Sequence, residues 1–243
     1  LCVRRRENRL PHRPDRRRCR AAGVTSVRDM GSDNPTLLNL MQSIESGEQI
    51  GPRVLASGLI EGRSPFSVRN GIVVDRLDPA LAAVRWYADH GYYGIKIYNS
   101  MPPDFVAPVA AEAHRLGLRV MGHVPAFMSS ERAIREGFDE ITHINQLLLS
   151  LIINPEQDDT RTPFRFTALG ERLGSLDLRS EHVRRFIALM QARGIALDPT
   201  VAIFQQILLS RPGAVAPNDA GWLAHMPAGF QRQRMRGQVD MKP

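Results

Sequence analysis

The sequence predicts an α/β fold, in which parallel strands and covering helices form a partial (β/α)8 barrel, and three observations carry the prediction. From residue 21 onward one phrase recurs: a β-rich run, a turn, an amphipathic helix and a glycine. Neither GxGxxG nor a P-loop occurs, one of which an open nucleotide-binding sheet should carry. Lys96, His123 and His143 stand at or near the ends of successive predicted strands, 27 and then 20 residues apart, about one strand-helix-strand step each. A parallel barrel delivers such strand ends to one mouth.

The elements follow in order. Val24 to Met30 (VTSVRDM) reads as a strand, followed by a helix from Pro35 to Ser46 that stops at Gly47. Arg53 to Ser57 is the second strand, leading into a polar loop through residue 77. Asp78 with Pro79 supplies an N-cap and a first-turn proline for a helix that runs to His90 and ends at Gly91. Gly94 to Tyr98 (GIKIY) is the lysine strand. The next helix runs from Pro103 to Leu116, aligns Val106, Val109, Ala110, Ala113 and Leu116 on one face, and stops at Gly117.

Leu118 to His123 is the fourth strand, then a short helix from Ser130 to Glu136 is closed by Gly137. Glu140 to Ile144 is the fifth strand. Residues 145–179 lose the rhythm and offer only helical pieces. Ser180 to Arg193 is a helix with Val183, Phe186, Ile187 and Met190 aligned, ended by Gly194, and Ile195 to Thr200 is the sixth strand. Pro212, Pro217 and Pro227 break the remainder into short helices and loops. Six strands do not close a normal eight-stranded barrel.

Composition, 43% hydrophobic and 23% charged, is that of a globular chain with a sizeable core. The net charge of +7 is local: residues 1–20 hold nine arginines against Glu7 and Asp15, and the other residues balance. That arm predicts a disordered, self-repelling segment, 1–20, ahead of one barrel domain, 21–243. Nucleic-acid binding is disfavoured, because no aromatic residue interleaves with the arginines to stack on bases. Cys2 and Cys19, the only cysteines, both lie in the arm, which argues against a thiolate zinc site. No run of about 18 apolar residues predicts a membrane span. The opening residues, Leu rather than Met, lack the apolar centre of a secretory signal.

The chemistry concentrates at three positions. Lys96 lies between Ile95 and Ile97, where a buried ammonium must be paired, deprotonated or modified. A neutral lysine can take up carbon dioxide as a carbamate, an anionic oxygen ligand. Taken alone, a lysine whose ammonium reaches solvent at the barrel mouth is the better reading. A lone strand histidine is more often a core or surface residue than a ligand, but His123 and His143 at consecutive strand ends after a strand lysine suggest a divalent-metal site. His90, His114, His182 and His225 read as helix or surface residues and His12 belongs to the arm, while the absence of GxSxG argues against a serine hydrolase.

The phrases AGVTSVRDMG (residues 22–31, reading from Ala22), GPRVLASG (51–58), GIKIY (94–98), GHVP (122–125) and Thr142-His143 together resemble the amidohydrolase superfamily, nearest its imidazolonepropionase-like and Xaa-Pro dipeptidase (prolidase-type) branch. The resemblance covers about residues 21–240. It implies a metal-bearing TIM barrel that hydrolyses C–N bonds, with Lys96 as the carboxylated lysine and His123 and His143 as histidine ligands. It also implies one or two divalent ions, most readily zinc, and a small amide, cyclic amide or dipeptide substrate.

Two expected features are missing: the chain has no HxH, and it has no Gly-Thr-Asp or Gly-Ser-Asp phrase for a last-strand aspartate, since its one Gly-Ser-Asp, Gly31-Ser32-Asp33, follows the first predicted strand. Asp198 stands one strand too early and reads as structural. The expectation is therefore a barrel lacking its first and last strands, with no catalytic residue assigned, little or no turnover, and open edges that favour homo-oligomers. The alternative is a non-catalytic metal- or ligand-binding remnant of such a barrel.

Overall fold

A computed structural model describes residues 23–209 and 211–236. The arginine arm and both cysteines lie outside the described residues. Two compact units divide between Leu197 and Asp198.

The first unit is a curled parallel sheet. Its strands are β1 (Ser26–Asp29), β2 (Arg53–Gly62), β3 (Ile72–Val74), β4 (Gly94–Ile97), β5 (Arg119–Gly122), β6 (Glu140–Thr142) and β7 (Ala196–Asp198). They follow the order β1-β2-β4-β5-β6-β7, with β3 also paired to β2. All six predicted strands are present, and β3 is an addition hidden in what reads as a polar loop. The connecting helices are α1 (Asn34–Glu45), α2 (Leu77–Asp89), α3 (Pro103–Arg115), α4 (Ser130–Arg135), α5 (Ile144–Ile152), α6 (Phe164–Arg172) and α7 (Glu181–Arg193). Among the described residues no helix is long and apolar enough to cross a membrane.

Local chemistry explains most boundaries. Asp33 caps α1 by accepting from the Thr36 amide at 3.2 Å, ahead of Pro35. Ser129 and Ser180 do the same for α4 and α7. The expected cap at Asp78 is corrected: α2 begins at Leu77 with Arg76 before it, and Asp78 occupies the first turn, where its charge still favours the positive helix end. The five glycines expected to stop helices, at 47, 91, 117, 137 and 194, all take positive φ.

Strand register sorts the side chains onto two faces. Ala56, Ile60, Ile95, Ile97, Val120 and Ile141 share the outer face and are buried in the main core with Ala80, Val84 and Tyr87 of α2 and Val106, Val109 and Ala113 of α3. That packing is why the predicted stripe of α3 is buried. In α7 the stripe holds at Val183 and Phe186, but Ile187 is exposed.

The inner face is different. Leu59, Lys96, Met121 and Glu140 lie level on adjacent strands. Continuing each strand by alternation places Glu61, Tyr98, His123 and Thr142 in the next layer toward the strand C-termini.

Curvature is visible in one contact. Arg28 of β1 donates to both carboxylate oxygens of Glu140 on β6, at 2.6 and 2.7 Å. Three strands separate β1 from β6 in the sheet order. In a flat sheet such strands would be about 19 Å apart, beyond the reach of these two side chains. The sheet therefore curls into a half-barrel, as the strand pattern predicts, with its polar layers inside.

The second unit, from Asp198, contains α8 (Val201–Leu209), single 3-10 turns at Pro217–Asp219 and Leu223–His225, and α9 (Ala228–Arg234). Its anchor is Asp219, 1% exposed, which accepts two bonds from Arg234 at 2.8 and 2.6 Å. Asp198 closes a local turn by accepting from the Thr200 amide, in keeping with a structural role.

Candidate metal centre

The C-terminal ends of β4, β5 and β6 bring the three sequence-selected residues into one chain of contacts, Lys96 and His123 against Tyr98 and His143 against His123. Lys96 and His123 are nearly inaccessible, 6% and 5% exposed, and His143 is half-buried. The Lys96 Nζ lies 5.4 Å from the centre of the Tyr98 ring. That ring stacks on His123 at 4.0 Å and 30°. His123 meets the His143 ring edge-on, 4.8 Å between centres at 73°. The two imidazoles are in direct contact, and the lysine amine stands one layer deeper, linked to them through Tyr98.

His143 reaches this position by breaking the strand rule. It is not a strand residue, as its sequence context suggests, but the residue before α5, with φ 76° and ψ 124°. Thr142 is level with His123 when the β5–β6 register is continued, so simple alternation would send residue 143 to the helix-packed face. The positive φ turns the chain instead, and the imidazole meets His123. A non-glycine residue held there costs about 1–3 kcal/mol, strain that clusters at functional sites.

Just before His123 the backbone is equally constrained. Gly122 has φ 136°, and a Cβ added to it would stand 2.1 Å from the Ile97 carbonyl oxygen. The His123 amide donates to that same oxygen at 3.0 Å, fixing the position of the histidine against β4.

Two buried polar residues that the sequence reading missed complete the inner layer. Asn99, 2% exposed, accepts from His123 Nδ1 through Oδ1 and donates from Nδ2 to the Thr160 carbonyl at 3.2 Å. Arg165 on α6 also donates to Asn99 Oδ1, at 3.4 Å. Glu61, fully buried at the end of β2, accepts from the amides of Ser100 at 2.8 Å, Gly62 at 3.1 Å and Val68 at 3.4 Å. Burial pushes its carboxyl above the ordinary value, while those amides and the Arg165 charge pull it down by less. The alternation of Leu55, Ser57, Leu59 and Glu61 along β2 was the signal available for Glu61. Asn99 had none, because it lies past the strand end and its partners come from residues 123, 160 and 165.

The remaining histidines take ordinary places. His90 stacks on Trp86 at 3.9 Å, His114 pairs with Asp139 at 3.1 Å, and His182 and His225 are exposed. His12 lies outside the described residues.

The spacing of the two imidazole centres is one that a shared divalent ion would require. A metal–nitrogen bond of about 2.1 Å puts a ring centre about 3.2 Å from the ion, so two rings 90° to 109° apart around it have centres about 4.5–5.2 Å apart. The observed 4.8 Å lies in that range. Among the described residues no group of three or more His, Cys, Asp or Glu is placed to hold a metal. A further protein donor would come from Lys96, whose amine is a ligand only when deprotonated or modified.

No protein-family profile matches the sequence, and no curated protein does. Solved structures match in fold. A bottromycin amidohydrolase superposes with a TM-score of 0.57 at 18% identity, covering 89% of this chain and 48% of the other. An uncharacterized protein gives 0.53 at 21% identity, covering 93% and 51%. A Xaa-Pro dipeptidase with methionine in its active site gives 0.51 at 20% identity, covering 88% and 49%. This chain spans about half the length of each. Its half-barrel is thus similar in fold to amidohydrolase-type proteins, and at these identities the likeness is one of fold.

Proposed function

We propose that this chain carries part of the metal site of an amidohydrolase, a hydrolase of C–N bonds in small amides, cyclic amides or dipeptides. Lys96, His123 and His143 are the groups that hold a divalent ion, zinc in the first instance. The observation that supports this most is the edge contact of His123 and His143 at 4.8 Å, achieved through a strained residue at a strand end. The fold likeness to an amidohydrolase and a dipeptidase supports it independently.

In this reading His123 and His143 would each offer an imidazole nitrogen to the ion. Lys96, once deprotonated, would add to carbon dioxide with loss of a proton, and the resulting carbamate would supply an anionic oxygen donor. A bound ion would supply Lewis acidity and a water whose pKa is lowered to about 7. Tyr98 covers one face of His123, and Leu59 and Met121, level with Lys96 on adjacent strands, are buried.

The donor set also favours a second reading, a metal- or ligand-binding remnant without turnover. The sequence has no HxH, and the described residues provide no third imidazole or carboxylate at the pair. We expect little or no hydrolysis by this chain alone. Calorimetric titration of the purified chain with zinc tests both readings. Saturable binding that falls at least tenfold in His123→Ala and in His143→Ala supports the site. Binding unchanged by both variants rejects it. Metal-dependent hydrolysis of a dipeptide by the same protein would decide for the enzyme over the remnant.

A further inference from the structure

We propose that Asn99 is a positioning residue: it holds His123 in the tautomer protonated at Nδ1 and so makes Nε2 the nitrogen that carries the lone pair. The consequence for metal binding rests on the site proposed above, whereas the tautomer itself does not.

The orientation of the Asn99 amide follows from its neighbours. The Thr160 carbonyl only accepts, so the amide nitrogen is the atom that faces it at 3.2 Å. Arg165 only donates, so the atom it reaches at 3.4 Å is the amide oxygen. Both constraints agree. The oxygen is therefore also the atom against His123 Nδ1, and that nitrogen must donate. In a neutral imidazole the other nitrogen is then the basic one.

Asn99 is placed for this by several segments. Its backbone carbonyl accepts from the Ala126 amide at 2.9 Å, tying it to the loop after β5. Thr160, 7% exposed, comes from the stretch joining α5 to α6 and Arg165 from the first turn of α6, and both are docked here through the same side chain. Tyr98, the residue before Asn99, stacks on the imidazole face and restricts rotation of the ring. Consecutive residues of one strand end thus fix the plane and the tautomer of His123. Metal-binding histidines are commonly oriented by such a partner, and losing it typically weakens metal affinity 10- to 100-fold.

The test is long-range proton–nitrogen NMR of the full chain labelled with nitrogen-15 histidine, at a pH where imidazoles are neutral and without metal. The His123 signals are assigned by their loss in His123→Gln. The expected wild-type pattern is a protonated Nδ1 and an unprotonated Nε2. Asn99→Leu, which removes the acceptor at nearly constant size, should shift His123 toward the Nε2-protonated form, and Asn99→Asp, which keeps an acceptor, should restore the wild-type pattern. A wild-type spectrum with Nε2 protonated overturns the inference even if neither variant folds. So does an Asn99→Leu spectrum identical to wild type.

Zinc titration of the same proteins separates the two proposals. A 10- to 100-fold loss in Asn99→Leu, rescued in Asn99→Asp, supports both. Absence of zinc binding in wild type with the expected tautomer rejects the metal site and leaves the positioning role standing.

Discussion

Arg28 and Glu140 offer the most direct test of the curled sheet that forms the site. The two side chains make a bidentate pair, 2.6 and 2.7 Å, with 25% and 8% of their side-chain surfaces exposed. Removing one partner of a fully buried pair costs about 3–5 kcal/mol, because the other charge is left uncompensated. Here water reaches the arginine end, so the cost is smaller and unequal. Arg28→Leu strands the nearly buried carboxylate and is expected to cost about 2–3 kcal/mol. Glu140→Gln leaves the better-solvated guanidinium and should cost about 1–2 kcal/mol. The double variant should be more stable than the sum of the two losses predicts, by about 1–2 kcal/mol. Urea unfolding of all four proteins, followed by circular dichroism, gives these values directly. A coupling energy within about 0.3 kcal/mol of zero would refute the reasoning, since it would mean that β1 and β6 do not face each other across a curved sheet.

Other consequences are equally specific. Gly122→Ala must adopt φ 136° and press its Cβ on the Ile97 carbonyl, so it should lower stability by about 2–4 kcal/mol, read as a lower urea midpoint; an unchanged midpoint contradicts the close approach. His143→Gly and His143→Ala both delete the imidazole, but only glycine accepts φ 76° without strain. The glycine variant should therefore be the more stable by about 1 kcal/mol, and an alanine variant equal to or above it removes the claim of strain. Glu61 has its pKa raised from 4.5 by burial, so the folded state keeps a proton that the unfolded state releases. Stability should accordingly fall as pH rises from 4.5 through the raised value; this slope should vanish in Glu61→Gln, and a wild type that gains on the variant over that window reverses the assignment.

What the chain reveals before folding is mostly periodic. Strand and helix rhythm, helix-stopping glycines and the apolar stripe of α3 depend on neighbours a few residues away, so the order of elements is legible from Ser26 to Thr142, β3 excepted, and again from Glu181 to Asp198. Cap positions and short strands are less so. The start of α2 moved ahead of Asp78, and β3 was hidden, because its three residues gain their structure only by pairing with the far end of β2. Lys96, His123 and His143 could be selected because unusual side chains stand at regular strand ends.

Their contacts belong to the tertiary structure alone. The reach of Arg28 to Glu140 depends on curvature summed over several strands, and no local pattern encodes it. His143 should have faced the helices by alternation; a single positive φ, sustained by the surrounding packing, turned it toward His123. Asn99 and Glu61 gained their places through partners many residues away, the Thr160 carbonyl and the Ser100 amide among them. The sequence by itself determined a parallel α/β architecture and three candidate ligands, because periodicity and strand-end spacing are local properties. Only folding decided how those ligands meet and what orients them, because distances between side chains on different strands are set by the curl of the whole sheet.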